Sequence, residues 1–102
     1  MSTIVVATIT PNPGQMDAVE AALKELIPAV QEEDGCEKYS LHRGSDCFVF
    51  IEKWRDMEAL GTHGANENMK LFGQKLAGLV GGRPDIKVLE AVPAGHDAKG
   101  AI

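Results

Sequence analysis

The sequence predicts an α+β fold: a four-stranded antiparallel sheet with its helices on one face. Three observations carry this expectation. Strand-like and helix-like periodicities follow one another as strand, helix, strand, strand, helix, strand. Only Gly44-Ser45-Asp46 separates the second strand from the third, so the two pair as a hairpin. Right-handed crossovers then bring both helices to the same side. That order is the ferredoxin-like βαββαβ arrangement. A chain of 102 residues with 44% hydrophobic content suits one domain with a real core. Residues 1–93 are expected to form it, with 94–102 as a flexible tail.

The first strand runs from Thr3 to Thr10 and is rich in β-branched residues. Asn12-Pro13-Gly14-Gln15 reads as a helix start, with Asn12 as cap and Pro13 in the first position. Met16, Val19, Leu23, Leu26, Ile27 and Val30 follow at helical spacing. Pro28 is expected to kink that helix, and Asp34-Gly35 to end it. Cys36–Arg43 and Cys47–Trp54 are the hairpin strands. On the latter, Phe48, Phe50, Glu52 and Trp54 share one face. Asp56 caps a short helix of Met57 to Thr62, and Asn66 caps another bearing Met69, Phe72, Leu76 and Leu79. Asp85 to Val92 is the last strand.

Apolar residues occupy both faces of the first and third strands. Helices cover one face only, so a second copy is expected to cover the other, giving a homodimer packed sheet to sheet. The net charge of −5 and the lack of a basic stripe argue against nucleic acid or an anionic membrane as partner. No apolar run approaches a membrane span. The N-terminus has no positively charged segment leading into an apolar one, so a cytoplasmic location is expected. Cys36 and Cys47 lack metal-site spacing. A disulfide across the hairpin is geometrically conceivable, but a reducing cytosol favours free thiols.

The stretch Phe50 to Phe72 concentrates the scarce groups. It holds the end of the third strand, the sole tryptophan (Trp54) and, nine residues on, His63 between Gly61 and Gly64. His63 is the first candidate for a catalytic or ligand-orienting group; a local helix-entry histidine is the plainer alternative. Trp54 offers a flat wall for an aromatic substrate or a simple core anchor. Tyr39 could donate a hydrogen bond to a substrate oxygen or merely pack at the rim. Phe50, Met69 and Phe72 are candidate pocket lining, although a stripe at helical spacing also describes ordinary core. Glu52, an acid on an aromatic face, could hold His63 or an arginine, and a structural ion pair is the favoured reading. His42 lies toward a rim and His96 in the tail.

Asp34-Gly35-Cys36-Glu37-Lys38-Tyr39, the strand end Glu52-Lys53-Trp54, then Met57-Glu58-Ala59-Leu60 and His63 together resemble the antibiotic biosynthesis monooxygenase family, over roughly residues 3–92. The resemblance implies a dimeric α+β barrel. It implies small enzymes: cofactor-free oxygenases of anthrones and quinols, haem-degrading relatives, and processors of small signalling molecules. Many relatives carry a second histidine five residues after the first; here Asn68 stands there, and an amide cannot act as a base. The segment Met69–Leu79 has no histidine to hold haem iron.

Cofactor-free oxygenation asks the protein to hold an electron-rich phenol in a dry pocket, take its proton and stabilise the anion. A phenol titrates near ~10 and an imidazole near ~6.5, so neutral His63 can serve if the anion is stabilised. The expectation is a monooxygenase with no cofactor and no metal, acting on a small hydroxylated aromatic. His63, Trp54 and Tyr39 are the catalytic candidates. Phe50, Glu52, Asn68, Met69 and Phe72 are the substrate-binding ones. An isomerase or other processor of a small signalling molecule, and a dimer that binds a small ligand without turnover, stay open.

Overall fold

A computed structural model describes residues 2–102. In chain order the elements are β1 (Thr3–Ile9), α1 (Met16–Gln31), β2 (Cys36–Arg43), β3 (Phe48–Trp54), α2 (Met57–Ala65), α3 (Glu67–Leu76) and β4 (Asp85–Glu90). The strands form one antiparallel sheet in the order β2-β3-β1-β4. This is the ferredoxin-like arrangement, with the second helical segment divided into α2 and α3.

β1 and β3 occupy the centre of the sheet. Their register sets Val5 opposite Glu52, Ala7 opposite Phe50 and Ile9 opposite Phe48. Because side chains alternate along a strand, these residues and Trp54 all face the helices. They join Val19, Leu23 and Val30 of α1 in one hydrophobic cluster. The opposite face carries Ile4, Val6, Val49 and Ile51, none of which belongs to that cluster. β4 pairs with β1 alone among the strands and is exposed along its whole length.

α1 begins later than the sequence suggests. Its first residue is Met16, and Gln15 at the cap makes no side-chain capping bond. Asn12 does not cap. Its backbone N–H donates to the Leu79 carbonyl at 2.8 Å and its side-chain amide to that of Gly78 at 3.2 Å. The long-range bonds outcompete the local cap and tie the β1–α1 loop to the end of α3. Pro28 lies inside α1, which continues to Gln31.

Beyond α1 the chain makes one more turn. The Glu33 N–H donates to the Val30 carbonyl at 3.0 Å and the Cys36 N–H to that of Glu33 at 3.1 Å. Gly35 turns with φ +84°, a left-handed conformation costly for other residues. Its carbonyl accepts from the Arg55 N–H at 2.8 Å. A Cβ at Gly35 would collide with the Cβ of Ala59 on α2. Gly35 is thus where the end of α1 and the start of α2 meet.

α2 is also longer than expected. It does not stop at Thr62 but runs to Ala65, which places His63 within the helix. Interior glycines cost a helix about 1 kcal/mol each. Packing offsets Gly61 and Gly64 here: Ala59 and His63 are buried, and the Asp56 side chain caps the helix by accepting from the Ala59 N–H at 2.8 Å. Asn66 ends α2 and starts α3, its side chain accepting from the Met69 N–H at 3.3 Å. Cys36 and Cys47 are free thiols at opposite ends of the hairpin, so no disulfide joins them.

Gly35→Ala is expected to destabilise the fold by about 2 kcal/mol or more, through both backbone strain and the clash with α2. Urea unfolding checks this. Gly14→Ala is the control, since Gly14 shares the positive φ but a Cβ there would meet open space; its loss should be smaller.

Candidate active site

A cavity of about 370 Å³ lies between the sheet and the helices. Its floor is Val5 and Ala7 of β1, Phe50 and Glu52 of β3, and Tyr39 of β2. Leu60, His63, Met69 and Phe72 of α2 and α3 cover it, and Pro84 and Ile86 stand at the β4 side. The floor comes from strand alternation and the cover from helical spacing, so two periodicities converge on one space.

His63 is 6% exposed. Its Nδ1 lies 2.8 Å from Oε1 of Glu33. The other Glu33 oxygen, Oε2, accepts from the Asn68 amide at 2.7 Å, and Asn68 also reaches the Ala29 carbonyl at 3.4 Å. A carboxylate accepts hydrogen bonds, so Nδ1 is the donor in this pair, and in the neutral imidazole the lone pair is then on Nε2. Nδ1 faces Glu33, and the His63 side chain borders both the main cavity and a second one. A smaller polar cavity, about 160 Å³, adjoins the Glu33 side and includes Asp34, Arg55 and Thr62. The His63–Glu33 pair is the wall between a polar space and a mainly apolar one.

Trp54 is fully buried and does not line the main cavity. Of its two readings, flat wall or core anchor, Trp54 stands in this structure as an anchor behind the cavity. Its ring packs on that of His63, with centroids 4.4 Å apart and planes tilted by 31°. It sets the imidazole plane from behind. Its indole N–H donates to Oε1 of Glu52 at 2.9 Å. Glu52 accordingly holds neither His63 nor an arginine, as the sequence had suggested; the carboxylate on His63 is Glu33. Asn68 faces Glu33 and lies outside the main cavity lining.

Tyr39 stacks on Phe50 with centroids 4.5 Å apart and presents an edge contact to His63 at 5.8 Å. Burial, reinforced by the charges of Glu52 and Glu33, pushes its phenol well above the usual range. Tyr39 therefore remains an O–H donor near neutral pH. Phe50 and Phe72 face each other at 6.2 Å. The Cys36 thiol is also pushed up, first by burial and then by the charges of Glu33, Glu52 and Glu37. That disfavours the thiolate a nucleophile needs.

Glu33 was not among the sequence candidates. The signal was present: Val19, Leu23, Leu26 and Val30 form the buried stripe of α1, and three residues further along it stands Glu33. The neighbours Glu32 and Asp34 hid it, because composition does not say which acid of three turns inward.

Burial is the main cause that raises the Glu52 carboxyl above its ordinary value, against the lowering effects of the Trp54 hydrogen bond and His63. A carboxyl raised on folding stabilises fully below its unfolded pKa, and that contribution is lost as pH rises through the folded value. Near neutral pH the ionised side chain is a cost. Glu52→Gln can still accept from Trp54, so at fixed protein concentration it should melt on the order of a few degrees higher at pH 7, with the gap closing toward pH 4. Thermal unfolding of both proteins across that range checks the sign.

The sequence profile of the antibiotic biosynthesis monooxygenase family matches residues 2–75. The comparison with curated proteins gave no match. Among solved structures, a Pseudomonas aeruginosa protein is 32% identical, with TM-score 0.81 over 89% of this chain and 94% of that one. A Caulobacter crescentus protein provisionally named an antibiotic biosynthesis monooxygenase is 29% identical, with TM-score 0.81 over 89% and 90%. A Mycobacterium tuberculosis protein, 23% identical, shares the fold with TM-score 0.82 over 94% and 100%. On the extent of the profile match and the identity to the Pseudomonas protein, the chain belongs to the antibiotic biosynthesis monooxygenase family.

Proposed function

We propose that the protein is a cofactor-independent monooxygenase that oxidises a small hydroxylated aromatic, of quinol or anthrone type, with molecular oxygen. The observation that carries this is the setting of His63: Glu33 engages its Nδ1, and the residue lines a cavity walled by Phe50, Phe72, Met69 and Ala7, which supports Nε2 as the atom offered to a substrate. The volume falls within the range of small-molecule sites, and aromatic walls suit a flat ring system. Family membership supports the reaction class. Few polar groups line the cavity, which disfavours a sugar-like or phosphorylated substrate.

In this reading His63 Nε2 removes the proton of the substrate hydroxyl or of its acidic carbon. The Glu33 carboxylate offsets the positive charge that develops on the imidazole. Tyr39 donates to the substrate oxygen and stabilises the anion. The anion gives one electron to oxygen; superoxide and the substrate radical then join at carbon to form a peroxide. His63 returns its proton to the distal oxygen. The O–O bond breaks as the remaining C–H proton leaves, giving a carbonyl and water. One oxygen atom ends in the product and one in water, and the substrate supplies all four electrons.

Two further parts belong to the proposal. A second copy covers the outer sheet face, completing a dimeric α+β barrel; Ile4, Val6, Val49 and Ile51 on that face support it. The protein works in the reducing cytoplasm, a reading supported by free thiols at opposite hairpin ends. No described helix is long and apolar enough to cross a membrane.

Oxygen uptake with reduced naphthoquinols, benzoquinols and anthrones, each measured against a protein-free blank, tests the activity. Uptake above blank is expected. His63→Ala should lower kcat on the order of 100-fold or more, with Glu33→Gln lowering it by a smaller factor. Uptake that survives in His63→Ala would remove the base from His63, and no uptake with any compound would leave a binding protein. Separately, light scattering at micromolar concentration should return twice the 10.9 kDa chain mass; the mass of one chain would remove the barrel.

A further inference from the structure

The cavity is polar at one end only. Cross-strand register sets Tyr39 opposite Glu52, and His63 packs over Tyr39 and Trp54. The next row of the sheet is Leu41, Phe50, Ala7 and Ile86, and Phe72 faces Phe50 from α3. Three polar groups thus cluster beside Trp54, and the space beyond them is apolar.

Glu52 is the one of the three that the proposed reaction leaves unused. It is 4% exposed and lines this cavity. Oε1 accepts from the Trp54 indole, and Oε2 has no hydrogen-bond partner among the described residues. Among the described residues, no side-chain oxygen or nitrogen shut off from solvent lacks a hydrogen-bond partner. Oε2 therefore opens to the cavity. Glutamine would satisfy the Trp54 indole equally well without a buried charge. A carboxylate that costs stability in a site an amide could fill points to a ligand.

We propose that Glu52 is a specificity-determining residue: Oε2 accepts a hydrogen bond from a substrate hydroxyl other than the group His63 deprotonates. Residues directly opposite on antiparallel strands have Cβ atoms about 5 Å apart, so Tyr39 and Glu52 reach oxygens on the same edge of a ring system. The site then selects aromatics with two oxygens side by side, ortho or peri, and a bare hydrocarbon remainder toward Phe72 and Ile86. This rests on the aromatic-substrate reading above.

The test is calorimetric binding under nitrogen, where no turnover occurs, using 1,8-naphthalenediol and its monomethyl ether. The ether keeps both oxygens but lacks the second donor. The natural protein should bind the diol about tenfold more tightly than the ether. In Glu52→Gln the side-chain amide is a donor on the cavity side, so the preference should fall by about fivefold or more. Melting temperature and circular dichroism verify that the variant is folded. Equal affinities in the natural protein, or an unchanged preference in Glu52→Gln, would overturn the role of Glu52 while leaving the aromatic site in place. If neither compound binds the natural protein and oxygen uptake is also absent, the aromatic reading falls and this proposal with it.

Discussion

One hydrogen bond organises the site: His63 Nδ1 to Glu33 at 2.8 Å. It joins α2 to the turn that follows α1, and it engages Nδ1, which leaves Nε2 as the ring nitrogen for the proposed chemistry. Much of the surrounding structure fixes the two ends of this bond. Gly35 lets the turn approach α2 closely. Asp56 starts α2 at the right residue. Trp54 packs behind the imidazole, and Asn68 holds the second Glu33 oxygen at 2.7 Å. Both Glu33 oxygens are engaged, so the carboxylate has little freedom to swing away, and a base held this way loses little entropy when it meets a substrate.

Two buried or half-buried acids do different work because they face different spaces. Glu33 borders the polar cavity beside Arg55 and Thr62, where water can share its charge. Glu52 sits on the sheet among aromatic rings, and burial raises its carboxyl. Removing a charged group from water costs free energy unless partners replace the hydration. The indole N–H of Trp54 replaces part of it, and the free oxygen toward the cavity leaves the remainder to a ligand. The same row of the sheet carries Tyr39, whose phenol is held protonated by burial and nearby negative charge. A donor and an acceptor thus stand opposite each other on β2 and β3, and register alone sets their spacing.

The fold was legible because it follows from period. Alternation in β1 and β3, the helical stripe of α1 and the short hairpin turn each admit few arrangements. The errors came where long-range contacts outweighed local preference. Asn12 is a good helix cap, yet the carbonyls of Gly78 and Leu79 offered it partners further along the chain. Gly61 and Gly64 argue against helix, yet burial of Ala59 and His63 carries α2 past both. The site was legible in part for the same reason. Periodicity says that Tyr39, Phe50 and Glu52 face the helices, and that Met69 and Phe72 face the sheet. It says nothing of depth, so Trp54 on the same strand face as Phe50 lies behind His63 instead of on the cavity wall. Glu33 depended on how a turn beyond a helix closes, which no repeating pattern records.

Asn68 bears directly on mechanism. It occupies the position where the family resemblance leads one to expect a second histidine, and it is spent on Glu33 and the Ala29 carbonyl. An amide neither takes nor gives a proton at neutral pH. In the proposed reaction a single imidazole must therefore do both tasks: take the proton from substrate, then return it to the peroxide. That is possible only if the protonated imidazole survives between the two steps and Nε2 stays on the substrate side. The Glu33 carboxylate meets the first need by offsetting the charge. The Nδ1 bond and the Trp54 face meet the second by preventing the ring from turning. The substitution of an amide for a base thus shifts the burden from a second titrating group to the rigidity of the first, and the close packing around His63 is what a one-base mechanism requires.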